Sequence, residues 1–254
     1  NPDEAIALGA TIQAGILSGS LRQVLLLDVT PLSLGIETFG GLMNIIIPRN
    51  TTIPAKAGEM FTNAVANQDS MLIRILQGER ELAKDNWELG RIEVPFPPGP
   101  KGSARVGVQF SLDANGILHV LARDTATLTD TTLEIRGTAI DVEDERVEQM
   151  IAESVDFAFE DMNERIWTEA ELKAEELLPA VDTALTQLGD AITDDERSDV
   201  LKHAANVRRL LESPGHDAKS LKTATQLLDD ATQSLAVLLL DRAMEESLVR
   251  RGLV

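Results

Sequence analysis

The chain has 254 residues, 23 basic and 42 acidic, for a formal net charge of −19, a length that suits one large or two modest domains. That charge repels nucleic-acid phosphates and anionic membranes alike, and the longest purely apolar run, Leu235–Leu240, is far short of the roughly 20 residues that span a bilayer. With no Cys, disulfides, thiolate metal sites and cysteine nucleophiles are excluded, and a reducing, cytoplasmic setting is expected.

Because it opens on Asn1 rather than Met, the chain reads as a piece of a longer protein. Pro2, Asp3 and Glu4 begin a short helix, with Pro in the first turn and acids at the positive dipole end. Ile6, Ala10, Ile12 and Ile16 or Leu17 then recur at helical spacing until Gly19. Nothing obvious in the chain covers that stripe. Val24–Leu27 follows as a short apolar run between Arg22 and Asp28.

From residue 32 to 136 the period is two. Leu32, Leu34 and Ile36 alternate with small or polar residues, Gly40-Gly41 turns a hairpin, and Met43–Ile47 returns. Met60–Asn67 and Met71–Gln77 flank a turn at Gln68-Asp69. Pro95–Gly102 reads as a rigid loop, and Val106, Val108, Phe110 and Leu112 share one strand face. Asp113-Ala114-Asn115-Gly116 turns that strand into Leu118, Val120 and Ala122, and Leu133 with Ile135 makes a last strand. The pattern predicts an antiparallel sandwich of about eight short strands.

Composition shifts near residue 140. Up to Ile140 there are 11 basic and 15 acidic residues with 14 Gly and 8 Pro; beyond it, 12 basic and 27 acidic with 3 Gly and 2 Pro. Turn-forming residues thus give way to helix formers. Asp141 suits an N-cap, and Val147, Ile151, Val155 or Ala158, Met162 and Ile166 mark a first helical stripe. Further helices over about 168–189, 194–212 and 217–250, broken near Gly189 and at Ser213-Pro214-Gly215, predict an antiparallel bundle.

No enzyme motif is present: no phosphate-binding Gly loop ending in Lys-Ser/Thr, no Gly-x-Ser-x-Gly, no His-Glu-x-x-His. Glu143-Asp144-Glu145 is either a solvated helix start or a carboxylate pair for acid–base work, and Asp194-Asp195-Glu196 is a helix start lacking the spacing of a calcium loop. His119, His203 and His216 are too dispersed for a metal site, and His119 alternates with Leu118 and Val120 as a structural strand residue does. Aromatic residues are only 3% of the chain, so the sandwich is aliphatic. Such faces are either core or a lining for an extended apolar guest, which strand backbone can also hydrogen-bond without regard to sequence.

The stretch Val24-Leu25-Leu26-Leu27-Asp28-Val29-Thr30-Pro31-Leu32-Ser33-Leu34-Gly35-Ile36-Glu37-Thr38 closely resembles the interdomain linker and first strand of DnaK-type chaperones, the heat-shock 70-kDa family. Asn1–Ala5, Asn50–Pro54, Leu76–Arg80, Asp85-Asn86 and Asn115–Val120 match in the same order, together spanning residues 1 to about 136. The helical half is similar in length and character but only weakly in residues. The resemblance implies four parts: residues 1–19 as the last helix of an ATPase domain, 20–29 as the linker (Val24, Leu25, Leu26, Leu27, Asp28), 30–137 as a peptide-binding β-sandwich, and 138–254 as an α-helical lid. It also implies a peptide cleft lined by Ile36, Thr38, Phe39, Phe61, Ala64, Met71, Ile73 and Val106. Phe39 and Ala64 take arching positions, Met71 sits at the base of the central pocket, and Thr38, Thr62 and Gln68 lie near the guest backbone.

Departures from the family pattern carry expectations of their own. Met71 stands where the family often has Val, which predicts a shallower pocket that takes Leu and rejects Phe or Trp. Phe39 replaces what is often Met or Ala, giving a stiffer arch. Neither Ala66 nor the Glu175-Glu176 region offers an Asp–His latch, and Lys101 is a candidate to reach a lid carboxylate instead.

The function so implied is non-enzymatic capture of extended apolar segments of unfolded polypeptides. No cofactor belongs to this stretch; ATP and Mg²⁺ are held, by the resemblance, in the ATPase domain of the full-length protein. A J-domain co-chaperone and a nucleotide exchange factor are the implied partners, with no nucleic acid and no membrane. Two rivals stand beside this: a structural interaction module assembling through its acidic helices, and self-association in which the apolar linker Val24–Leu27 occupies a neighbour's cleft. An acid–base hydrolase built on Asp or Glu pairs has little to support it.

Overall fold

The computed structural model describes residues 2–20, 28–136 and 144–250. The linker Val24–Leu27, the cap Asp141 and the expected boundary at 137–138 lie outside the described residues. The chain divides into two compact units: Asn1–Glu37, Met43–Glu79 and Ala83–Glu153 form the first, and Thr38–Leu42, Arg80–Leu82 and Ser154–Val254 the second.

The first unit opens with helix α1 (Pro2–Leu17), whose Ile6, Leu8, Ile12 and Leu17 are exposed. Strand β1 (Asp28–Val29) pairs with β4 (Thr52–Ile53). Two four-stranded antiparallel sheets then make the sandwich. One holds β2 (Leu34–Thr38), β3 (Leu42–Ile47), β6 (Ser70–Gln77) and β7 (Trp87–Pro95) in the order β3-β2-β6-β7. The other holds β5 (Ala55–Phe61), β8 (Val106–Leu112), β9 (Leu118–Asp124) and β10 (Asp130–Ile135) in the order β10-β9-β8-β5.

Alternation drives the packing. Val106, Val108, Phe110 and Leu112 of β8, with Leu118, Val120 and Ala122 of β9, face Leu34, Ile36, Ile73, Ile75, Ile92 and Val94 of the other sheet in one buried cluster. Each such side chain contributes about 1.5–3 kcal/mol on burial. The Asp113–Gly116 turn forms as expected: the Asp113 carboxylate accepts from the N–H groups of Asn115 and Ile117, and Gly116 has φ 76°.

Two sequence expectations are corrected. Met60–Asn67 and Met71–Gln77 do not simply flank a turn at 68–69: the strand stops at Phe61, β5 pairs with β8 while β6 lies in the other sheet, and residues 62–69 cross between them. The tight turn falls at Ala66-Asn67, where Asn67 takes φ 61°. The sandwich holds eight strands, as expected, and among the described residues the short pair β1 and β4 stands outside its two sheets. The first long helical stripe also breaks earlier: α2 (Asp144–Asp156) ends before Phe157, and α3 (Ala158–Leu188) runs unbroken past residue 167.

The second unit is a bundle of α3, α4 (Asp194–Leu211) and α5 (Ala218–Arg250). Trp167, Ala170, Ala174, Val181, Leu185 and Leu188 of α3 pack with Val200, Ala204 and Val207 of α4 and Leu221, Ala224, Leu228 and Leu235 of α5. Thr193 and Glu196 form a capping box at the start of α4, and the Asp217 carboxylate accepts from Ser220 N–H ahead of α5. His216 stacks on Trp167, ring centroids 4.5 Å apart.

The β9–β10 hairpin carries a pH-dependent element. Asp124 is fully buried and accepts from Thr127 Oγ1, Thr127 N–H and Ala126 N–H. The Thr127 hydroxyl, then the backbone N–H groups, hold its carboxyl below the ordinary Asp value against the opposing effect of burial. A lowered folded pKa gives stability that is present above the unfolded value of about 3.9 and lost as pH falls through the folded one. Asp124→Asn is therefore expected to flatten the acid limb of the stability–pH curve below about pH 4. An unchanged limb in urea-unfolding midpoints counts against that role.

Candidate functional site

The expected guest-binding residues of the first unit converge at one end of the sandwich. Phe61, the last residue of β5, lies opposite Val106, the first of β8. On the other sheet Met71 and Ile73 begin β6, opposite Val94 and Ile92 of β7, while Ile36 of β2 lies opposite Ile75. Ile36, Ile73 and Val106 are 2%, 1% and 0% exposed and belong to the core; Phe61 and Met71 rest half-buried against them. Those three residues therefore form a floor rather than an accessible lining. The surface available to a ligand comes from Phe61, Met71, half-buried Ala64 and exposed Thr62.

The loop over this end is held by one buried amide. Asn63 Nδ2 donates to the carbonyls of Val65 and Pro100, both at 2.8 Å, and its Oδ1 accepts from Ala104 N–H at 2.9 Å. Its own carbonyl accepts from Gly102 N–H, while Asn67 N–H donates to Gly99 O and Phe96 N–H to Asp69 O. Loops 62–69 and 96–105 are thereby joined. The Gln68 side chain is spent in the same bracing, accepting from Ala64 N–H and donating to Ser70 O. Gln68 thus shapes the loop that presents Ala64. Sequence reasoning missed Asn63, whose only signal was a polar residue inside an expected strand.

Beside this end, Arg74 of β6 bridges Glu37 of β2 and Glu88 of β7 at 2.6 and 2.8 Å. Hydrogen bonding to Arg74, then to Arg91, lowers the Glu88 carboxyl pKa. These pairs tie neighbouring strands and converge on no nucleophile. Among the described residues there is no grouping of three or more His, Asp or Glu able to hold a metal ion.

Thr38 and Phe39 belong to the second unit. Their turn is closed by Gly41 N–H donating to Thr38 O and by the Thr38 hydroxyl donating to Leu42 O. Gly40 and Gly41 have φ 87° and 73°, which favours glycine at both positions. A Cβ at Gly40 would stand 2.6 Å from Thr168 Cγ2 and 2.9 Å from Leu172 Cδ1, so α3 approaches this turn closely. Phe39 at its tip is 61% exposed.

Residues 80–82 anchor to α3 by charge. Arg80 makes a two-pronged pair with the Asp161 carboxylate, at 2.5 and 2.8 Å, and Phe157 lies under its guanidinium at 4.4 Å. Glu81 meets Arg165 at 2.5 Å, and Leu42 bridges Leu82 in antiparallel fashion. This anchor was not anticipated. The expected latch residue Lys101 lies in the 96–105 loop of the first unit and is exposed, as are Glu175 and Glu176 on α3. Linker residue Asp28 pairs with Ile53 through β1 and β4, while Val24–Leu27 fall outside the described residues.

No helix among the described residues is long and apolar enough to cross a membrane. A family model described as Hsp70 protein matches residues 1–240.

Proposed function

The chain belongs to the Hsp70 family of chaperones, and from that premise we propose that it is a DnaK-type substrate-binding region, holding extended apolar segments of unfolded polypeptides at the β2, β5, β6 and β8 end of its sandwich. The observation that carries this reading is the placement of half-buried Phe61 and Met71 on a floor of Ile36, Ile73 and Val106, beside a loop fixed by Asn63. Apolar surface so placed accepts a Leu side chain at about 1.5–3 kcal/mol. Backbone groups near Thr62 and Ala64 add about 1 kcal/mol per hydrogen bond to an extended guest.

The proposed binding is reversible capture, with no catalytic residue assigned in this chain. Coupling to ATP and Mg²⁺, a J-domain co-chaperone and a nucleotide exchange factor belongs to the larger family protein, with α1 as the end of its ATPase domain and the cytoplasm as its setting.

The test is a titration with labelled peptides of about seven residues carrying Leu, Phe or Trp at the centre. Micromolar binding with Leu preferred is the expected result. Met71→Ala is expected to raise the affinity of the Phe-centred peptide relative to the Leu-centred one by about fivefold, because the thioether no longer fills the pocket base. Failure of every peptide to bind, or binding indifferent to Met71, overturns the reading.

A further inference from the structure

We propose that the Val155–Met162 face of the second unit is a docking surface for a basic amphipathic helix supplied by another protein. Val155 is 70% exposed, Phe159 87% and Met162 49%. Phe159 and Met162 lie three apart in the first turns of α3, and Val155 lies in the last turn of α2, just before the break at Phe157. Single exposed aliphatics are ordinary, but a nearly fully exposed Phe with an exposed Met one turn on and an exposed Val just before it in the chain is the kind of patch that marks an interface.

The rim of the patch specifies the partner. Asp156, Glu160 and Glu164 are all exposed, and among the described residues none of the three makes an ion pair. The nearby cations are already committed: Arg80 to Asp161, and Arg165 to Glu81 and Glu169. An apolar stripe edged by unneutralised carboxylates is complemented by Leu, Met or Phe edged by Lys and Arg. Backbone groups within these helices already bond along the helix, so the face offers side-chain ridges rather than a strand edge, and a helix is the element that fits. A second copy of the chain, also at net charge −19, would bring the same acids to the contact and is disfavoured. The proposal is independent of the peptide-binding reading, because it uses none of the residues at the sandwich end.

The experiment uses the full chain and a fluorescein-labelled helix of about 16 residues built of Leu and Lys, with a hydrocarbon staple. The staple keeps the probe from entering a site as an extended guest. Saturable binding by anisotropy is expected, weakening as salt rises. Val155→Ser with Phe159→Ser is expected to weaken it at least about tenfold, and Glu160→Lys with Glu164→Lys by a similar factor. An excess of unlabelled extended apolar peptide is expected to leave it unchanged. These positions are exposed, and circular-dichroism melting checks that both variants stay folded. Absence of binding, affinity equal to that of the unsubstituted chain in either double variant, or displacement by the extended peptide overturns the proposal.

Discussion

Arg80→Ala is expected to destabilise the second unit by about 3 kcal/mol, because it strands a carboxylate that the protein has buried. The side chains of Arg80 and Asp161 are 14% and 4% exposed and meet through two short hydrogen bonds. Removing one member leaves the other charged without its main counter-ion, whereas exchanging both for apolar residues is close to neutral. Arg80→Met combined with Asp161→Leu should therefore recover most of the lost stability in chemical unfolding, and a double-mutant cycle isolates the pair. The segments held by this anchor lead directly along the chain into β2, β3 and β6. On the proposed function, loosening them speeds peptide release, and the off-rate in Arg80→Ala is expected to rise about tenfold or more. The apolar double variant separates two roles. If it restores stability and slow release together, the anchor acts by holding position; if release stays fast, the charges themselves matter. A wild-type unfolding midpoint in Arg80→Ala would remove the pair from any account of the unit.

Much of the architecture was readable from local rules. Asp113-Ala114-Asn115-Gly116 and Gly40-Gly41 formed their turns because side-chain acceptance by Asp113 and positive φ at the glycines depend only on neighbours. The β8 alternation was equally plain, since that strand has one face in the core and the other outside. Strand β7 is obscured because it carries the irregularity itself: Ile75 and Leu76 pair with Gly90 and Glu88, leaving Leu89 out of register, and Gly90 interrupts the alternation. Strand β5 is obscured because only Ala55, Ala57 and Phe61 pack on the core, while Glu59 is exposed and accepts from Asn44 Nδ2.

The helical stripe misled for a related reason. Met162 falls on the apolar stripe yet is half-exposed, while Asp161 beside it is buried. A buried ion pair inverts the pattern that hydrophobic periodicity relies on. Its partner lies 81 residues away, beyond any local signal. The resemblance points to Phe61, Met71, Ile73 and Val106, all of which pack in or against the sandwich core. It did not locate Asn63, whose importance exists only once two loops are brought together.

Asn63→Leu is the second large expected effect. The substitution keeps most of the volume of a side chain that is 2% exposed, but removes every polar atom from it. The Ala104 N–H and the carbonyls of Val65 and Pro100 then lose the partner that Asn63 provides. The Pro100 carbonyl keeps the Ser103 N–H and hydroxyl and Val65 is exposed, so the stranded group is the buried Ala104 N–H, and a loss of about 1–3 kcal/mol is expected for the sandwich. Thr62→Val, one position away on an exposed side chain, is expected to leave stability within about 0.5 kcal/mol. Because Asn63 joins the two loops that border Phe61 and Ala64, peptide affinity should fall in Asn63→Leu even where the variant remains fully folded at low temperature. Hydrogen exchange offers the sharper readout: the amides of Asn67, Gly102 and Ala104 are expected to lose protection while those of β8 and β9 keep theirs. Uniform loss across the sandwich would make Asn63 a global core residue, and unchanged exchange in both loops would show that their union does not depend on it.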